Sequence, residues 1–295
     1  MFHRPLLVVG GIALDITATV VHSKASILHT STPGRVKQTL GGVGRNVAEA
    51  ALRTGGTRVK LVSVVGDDLA GKSILEGMKQ IGMDTEHIEI MKGQSTAVYN
   101  ALHSSDGQLV AAVADMDILE KMNASRIVSV IQSEQPNFLC FDGNVSSDVM
   151  KEIAQTCHSL SIPVFFEPTS VPKSLKLFKH FETTQSKSIK YISPNQFELE
   201  ALCERIHSDP LLYKQIKPIN PSSLNNAPRL AQNVLPQALC LSNYVPNVIT
   251  KLGQDGCLFV NQSVVKYFPP EIILPHEIKS VTGAGDCQPT KALYL

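Results

Sequence analysis

Leu6-Leu7-Val8-Val9-Gly10 and, after an irregular stretch, Gly41-Gly42-Val43-Gly44-Arg45-Asn46 decide the fold of this 295-residue chain. The first is an apolar run of strand length. The glycines of the second lead into a helical stretch over residues 45–54, which Gly55-Gly56 closes as a C-cap. The strand, glycine loop and helix order then recurs. Residues 60–65 read as a buried strand, residues 69–81 have a helical period, and Gly82 stops them. Residues 138–142, 164–167 and 191–193 are further short apolar runs, each followed by a polar turn and a helix-like segment. Such alternation predicts an α/β fold with a central, mostly parallel sheet flanked by helices.

Two stretches break the rhythm. Residues 12–39 and 96–115 hold β-branched residues and turns with little helical period, which predicts a small antiparallel flap. Ligands of open α/β sheets sit beyond the carboxyl ends of the strands, so a flap rising from that edge would be a lid. Residues 205–246, rich in Pro and Asn, predict irregular helices and surface loops. Residues 1–295 read as one domain with this lid.

Composition excludes several classes of function. Lys and Arg total 27 against 26 Asp and Glu, and a net charge of +1 creates no field for nucleic acid or anionic membranes. Apolar runs fall far short of the ~20 residues of a membrane helix, and residues 1–5 run into a strand rather than a signal-peptide core. Cys140, Cys157, Cys203, Cys240, Cys257 and Cys287 are scattered, which fits reduced core thiols of a cytoplasmic protein.

Gly66-Asp67-Asp68-Leu69-Ala70-Gly71-Lys72-Ser73 matches the G-x-x-x-x-G-K-S phosphate loop. Two adjacent carboxylates and the bulky Leu69 oppose that reading, since such a loop must curl its N–H groups around a polyanion. The alternative makes Asp68 an N-cap and Lys72 a solvated residue. A P-loop nucleotidase using Lys72 is accordingly the weakest of the functional readings.

Thr282-Gly283-Ala284-Gly285-Asp286 carries more chemistry. Its small residues free successive N–H groups to converge on an anion, and a carboxylate follows at once to take a proton. Read alone, it is equally an ordinary glycine turn. Asn195 and Glu198, three apart at a helix start, share a face and can hold water or Mg²⁺ beside phosphates. Thr250, Gly253 and Gly256 end a strand where a nucleotide could approach the backbone. Gly41, Gly42 and Gly44 admit a ligand, with Asn46 able to donate and accept and Asp15 able to bind a sugar diol.

Gly-Gly followed by Asn46, Gly66-Asp67-Asp68 with Gly71, Asn195-x-x-Glu198, Thr250-x-x-Gly253 and Gly283-Ala284-Gly285-Asp286 stand in one order. Together they resemble the ribokinase-like, or PfkB, carbohydrate kinases over roughly residues 6 to 286. Residues 42–49, Asp142-Gly143-Asn144 and residues 166–170 are most similar to pseudouridine kinases. The resemblance implies a ribokinase-like fold and transfer of the ATP γ-phosphate to the 5′-hydroxyl of a ribose-containing nucleoside, with other furanoses as alternative substrates.

In that family Asp286 would be the base and Gly283, Ala284 and Gly285 the anion hole. Asp15, Gly41, Gly42 and Asn46 would hold the ribose, and Thr96, Tyr99 and Asn144 would complete the substrate site. Asn195, Thr250, Gly253 and Gly256 would line the nucleotide, with Glu198 and Asn195 on the Mg²⁺ side through water. A monovalent cation and a homodimer through the lid are also compatible with it. Where the family continues with a long apolar helix, this sequence reads Cys287-Gln288-Pro289 and ends at Leu295, which implies a chain truncated after the GAGD run. A catalytically impaired product that keeps the fold is the competing reading from another class.

Overall fold

In the computed structural model, residues 4–21, 31–55, 58–212, 227–271, 273 and 284–287 are described. The strands are β1 (Leu6–Val9), β2 (Ala13–Val20), β3 (Gly34–Gly41), β4 (Val59–Gly66), β5 (Ile88–Met91), β6 (Val98–His103), β7 (Leu109–Asp115), β8 (Phe138–Asp142), β9 (Val164–Glu167), β10 (Ile189–Ile192), β11 (Asn247–Lys251), β12 (Cys257–Val260) and β13 (Val265–Phe268). The helices are α1 (Val43–Thr54), α2 (Leu69–Gln80), α3 (Asp117–Glu120), α4 (Ala124–Glu134), α5 (Ser147–Ser159), α6 (Val171–Ser174), α7 (Phe181–Gln185), α8 (Gln196–Ser208) and α9 (Arg229–Leu241).

A nine-stranded sheet runs β13-β12-β11-β10-β9-β8-β1-β4-β5. It is parallel from β5 through β11 and antiparallel only where β12 and β13 extend its edge. Strand alternation divides its side chains between two cores. Leu7, Val9, Leu139, Phe141, Val164 and Phe166 face α4, α5, α8 and α9, whereas Leu6, Val8, Cys140 and Phe165 face α1 and α2. Burial on both faces is why these strands read as continuous apolar runs. Because β1 lies between β4 and β8, its carboxyl end is the switch point of the sheet, where a crevice opens.

The helices begin where the sequence supplies a cap. Asp68 accepts from Gly71 N at the start of α2, so the phosphate-loop match is a capped turn with Lys72 exposed. Ser146 caps α5 in the same way. Two expectations need correction. Residues 205–246 are more regular than their Pro and Asn content suggests, since α8 runs to Ser208 and α9 is continuous through Pro236. Burial of Ala231, Val234, Leu235, Ala238 and Leu241 on one face of α9 outweighs the cost of that proline. Residues 213–226 lie outside the described residues.

The two irregular stretches supply a second, four-stranded sheet ordered β3-β2-β6-β7. It is mixed rather than antiparallel throughout, because β6 joins β2 in parallel. β2 and β6 are separated by the α1–β4–α2–β5 unit, and such a crossover returns the second strand in the same direction. Residues 22–30 of the first stretch lie outside the described residues. Among the described residues no helix is long and apolar enough to cross a membrane.

Gly42, at φ 91°, turns the chain from β3 into α1. Gly44 lets that helix start press on the end of β1: a Cβ there would lie 2.7 Å from Gly10 C and 2.9 Å from Gly11 N. Both neighbours are backbone and cannot rotate away. Gly44→Ala is therefore expected to cost about 1–3 kcal/mol through overpacking. Urea unfolding of the variant measures this, and a midpoint unchanged from the parent would contradict the close approach.

Candidate active site

Four polar clusters meet at the carboxyl edge of the central sheet. The first is built on Asp142, at the end of β8 and fully buried. Its Oδ2 accepts from Gly11 N and Gly44 N, each at 2.8 Å, and from Asn144 Nδ2, also at 2.8 Å, while Oδ1 accepts from Asn144 N. Burial pushes this carboxyl above the ordinary aspartate value against the pull of those donors.

The second cluster joins residues far apart in the sequence. Asn46 Nδ2, on α1, donates to Asp286 Oδ2 at 2.7 Å across 240 residues of sequence. Arg45, itself buried, donates to the Asn46 amide oxygen and to Leu40 O and Gly41 O, and pairs with Glu49. With its oxygen held by Arg45, the Asn46 amide has only its NH₂ to offer Asp286. Asp15, on β2, lies over Gly41, where a Cβ would stand 2.2 Å from its Oδ2. Burial raises the Asp15 carboxyl, Arg45 lowers it, and the charge of Asp286 raises it. Burial likewise raises Asp286, opposed by the Asn46 hydrogen bond and by Lys251.

The third cluster lies on β9, β10 and β11. Asn195 Oδ1 accepts from Phe197 N and Glu198 N while Glu198 Oε2 accepts from Asn195 N, so the pair forms a capping box on α8. The Asn195 oxygen is thus spent on the helix, and Glu198 Oε1 is the oxygen the box leaves over. Burial raises the Glu198 carboxyl, which Lys251 lowers and Asp286 raises. Thr250 is turned away from this group. It is fully buried, and its parity on β11 places it with Val248 on the α8–α9 side, its hydroxyl unpartnered among the described residues. Lys251, one residue on, faces the α1 side instead, where its Nζ donates to Glu167 Oε1 at 2.6 Å. Ser193 donates to the other Glu167 oxygen. Gly253, at φ 63°, opens the turn after β11 with no neighbour within 4 Å of a Cβ built there. Gly256 serves packing, since a Cβ there would meet Phe268 O at 2.2 Å.

The fourth cluster lies toward the small sheet. Tyr99, on β6, is the register partner of Asp15 and is half-buried. Thr96 does not share its setting. It is buried, its hydroxyl donates to Asp68 Oδ1 and accepts from Gly66 N, and its own N–H donates to Asp68 Oδ2. These bonds tie down the turn before α2 and occupy the hydroxyl as donor and acceptor. Asn144 is similarly committed, its NH₂ to Asp142 and its oxygen to Lys173 Nζ at 2.5 Å.

Of the residues singled out in the sequence, Asp15, Gly41, Gly42, Asn46, Gly285 and Asp286 thus lie together on the α1 side, with Glu198 in electrostatic range. Ala284 joins them through its backbone in the turn of residues 284–287, and Gly283 lies outside the described residues. Sequence reasoning met Asp142, Arg45, Glu167 and Lys251 only inside longer runs and gave them no role of their own. A charged residue at the last position of a buried strand was the available signal for Asp142, Glu167 and Lys251.

Residues 4–288 match the family described as pfkB family carbohydrate kinase. A pseudouridine-metabolizing bifunctional protein of Schizosaccharomyces pombe is 28% identical over 94% of this chain, which spans 41% of that protein. The Escherichia coli pseudouridine kinase is 28% identical over 67% of this chain, spanning 60% of its length. Among solved structures, Arabidopsis thaliana ribokinase complexed with ribose and ATP superimposes with a TM-score of 0.72 at 20% identity, covering 98% of this chain and 84% of that one.

Burial pushes Glu167 up to about 7, with Lys251 and Ser193 opposing it. A carboxyl that holds its proton more tightly when folded makes the fold lose stability as pH rises from the ordinary glutamate range through about 7. Glu167→Gln removes that component. Its unfolding free energy is expected to fall less than the parent's between pH 5 and pH 8, by about 1–3 kcal/mol. Urea titrations at the two pH values test this, and an equal fall in both proteins would refute it.

Proposed function

The chain belongs to the pfkB family of carbohydrate kinases, and from that premise we propose that it transfers the γ-phosphoryl group of ATP to the 5′-hydroxyl of a ribose-containing nucleoside, pseudouridine first. The observation that carries this reading is the Asn46–Asp286 hydrogen bond with Asp15 alongside, which unites a base and a sugar-binding group in one crevice. Asp286 takes the proton of the hydroxyl as its oxygen attacks the γ-phosphorus. The bond from that phosphorus to the bridging oxygen breaks, and ADP leaves with the electron pair. The N–H groups of the glycine run before Asp286 receive the phosphoryl oxygens. Asp15 accepts from the ribose hydroxyls and Tyr99 lies beside it, so closure of the small sheet would exclude water.

Mg²⁺ would neutralise charge on the ATP phosphates, and Glu198 Oε1 is the oxygen left to hold it through water. The preference for pseudouridine rests on the names of the two curated relatives, and the ATP and ribose of the Arabidopsis ribokinase complex support the nucleotide and sugar sites. A second reading, a kinase for ribose or another furanose, is favoured by the same Asp15 grip, which reads the sugar and not the base. Exposed Val36 and Val113 on the outer strands β3 and β7 support a homodimer through the small sheet. A cytoplasmic location fits the unpaired, buried thiols of Cys140, Cys157, Cys203 and Cys240.

ATP consumption dependent on pseudouridine, with ribose, inosine and adenosine as competitors, tests the substrate. Asp286→Asn is expected to reduce turnover ~10²–10⁴-fold while nearly preserving nucleoside binding, because a base acts mainly in the transition state. Turnover within about threefold of the parent would remove Asp286 from the role of base. Asp15→Ala is expected to weaken nucleoside binding by about 1–3 kcal/mol with nucleotide affinity unchanged. Separate calorimetric titrations decide this, and equal losses for both ligands would place Asp15 elsewhere.

A further inference from the structure

The Lys251–Glu167–Ser193 group has no part in the scheme above, yet it is built more expensively than any surface ion pair. Glu167 is 1% exposed, and each of its oxygens is taken, one by Lys251 Nζ at 2.6 Å and the other by Ser193. A buried ion pair gains little stability over an apolar pair of the same volume, so stability alone is a weak reason to keep one. Its location suggests another. The main chain of Lys251 is fixed by the parallel bridge to Asn195, with Lys251 N donating to Pro194 O at 2.8 Å, which sets the end of β11 beside the start of α8. The side chain then projects toward the glycine run. Its Cδ and Nζ are the nearest atoms to a Cβ built on Gly285, at 3.6 and 3.8 Å. It also acts electrostatically on Asp286 and on Glu198, which flank the same crevice.

We propose that Lys251 is a catalytic residue that donates from Nζ to a non-bridging oxygen of the transferring phosphoryl group, and that Glu167 is the positioning residue that aims it. This rests on the kinase reading above. Ammonium Nζ has three protons, and Glu167 Oε1 takes one, which leaves donors for an anion lying over Gly285. As the phosphoryl group leaves the bridging oxygen and meets the attacking hydroxyl oxygen, its negative charge is spread over its non-bridging oxygens. A cation fixed beforehand, with no reorganisation left to make, acts on that charge. Asp286 would otherwise face the phosphoryl group as one anion facing another. Lys251 stands within reach of both, so it also favours the ionised Asp286 that the proton transfer requires. No proton moves to or from Lys251 in the step.

The test uses the 295-residue chain at pH 8, with Lys251→Met, Lys251→Arg, Glu167→Gln and the double variant Lys251→Met/Glu167→Gln, the last to spare the fold an unpaired buried carboxylate. Calorimetry compares ADP with the β,γ-methylene analogue of ATP. Lys251→Met and the double variant are expected to bind the analogue about tenfold more weakly and ADP within twofold of the parent, because only the analogue carries the γ-phosphoryl group. Lys251→Arg should restore most of the difference. In turnover, Lys251→Met should lose about 10²-fold in kcat, and Glu167→Gln about tenfold with KM for the nucleoside unchanged. A parent-like ratio of analogue to ADP affinity in both Met variants would overturn the proposal, as would kcat within threefold of the parent. If the parent consumes no ATP with any nucleoside or sugar, the kinase reading falls while the affinity ratio still decides the contact. A parent that binds neither nucleotide overturns both.

Discussion

A carboxylate that cannot reach water holds the crevice together. Asp142 ends the central strand β8, and the N–H groups it accepts come from three places in the chain: the loop after β1, the first turn of α1, and its own turn at Asn144. An isolated charge at that depth would be strongly unfavourable, and the donors make it tolerable. In return they are fixed against one another. The start of α1 is pinned to the end of β1, and Asn46, two residues beyond Gly44, is carried to a single place. Arg45 then fixes which way the Asn46 amide faces, and so determines that Asp286 meets a donor. The candidate base thus gets its orientation from a strand more than 140 residues away, by way of the start of α1 and the Arg45–Asn46 contact.

This arrangement also explains why carboxyl groups along one edge of the sheet share a direction of shift. Asp15, Asp142, Glu167, Glu198 and Asp286 are all raised, with burial the first cause in each. They sit where strand ends, helix starts and the small sheet converge and water is excluded. Opposing them are Arg45 and Lys251, each held by a carboxylate or carbonyls of its own. The crevice is therefore already short of positive charge before a polyanion enters it.

The parallel sheet was legible in the sequence because its strands are buried on both faces and leave continuous apolar runs, as at Phe138–Asp142 and Val164–Glu167. Helix starts were legible where a cap residue stood, as at Asp68. The parallel pairing of β6 with β2 was not, since β-branched content says nothing about strand direction. Nor was the regularity of α9, where the burial of one face prevails over a proline that local propensity weighs heavily. Within the site, Asp15, Asn46 and Asp286 stood out by residue type and neighbouring glycines. Thr250 stood out for the same reason but faces the wrong way: one step of strand parity separates it from Lys251, and only the pairing with β10 and β12 reveals which of the two points at Asp286. Thr96 and Asn144 entered the substrate site only through the family resemblance, and their hydrogen-bonding groups are occupied inside the fold.

Those occupied groups narrow what can meet a phosphorylated ligand. The Asn195 oxygen caps α8, the Asn144 amide is shared between Asp142 and Lys173, and Thr250 is sealed on the far face. Anion contacts at this edge can then come from backbone N–H groups near Gly285, from the Asn195 NH₂ that the capping box leaves over, from a cation bridged to Glu198, or from Lys251. Small residues suit the first source because they let phosphate oxygens approach the main chain. Lys251 suits the last because its partner is buried: an ammonium held by an exposed carboxylate would be screened and mobile, whereas one held by Glu167 keeps its place when the nucleotide arrives. A residue that would be costly in an ordinary core is useful here for that reason, as its charge is set in position before the charge it must meet develops.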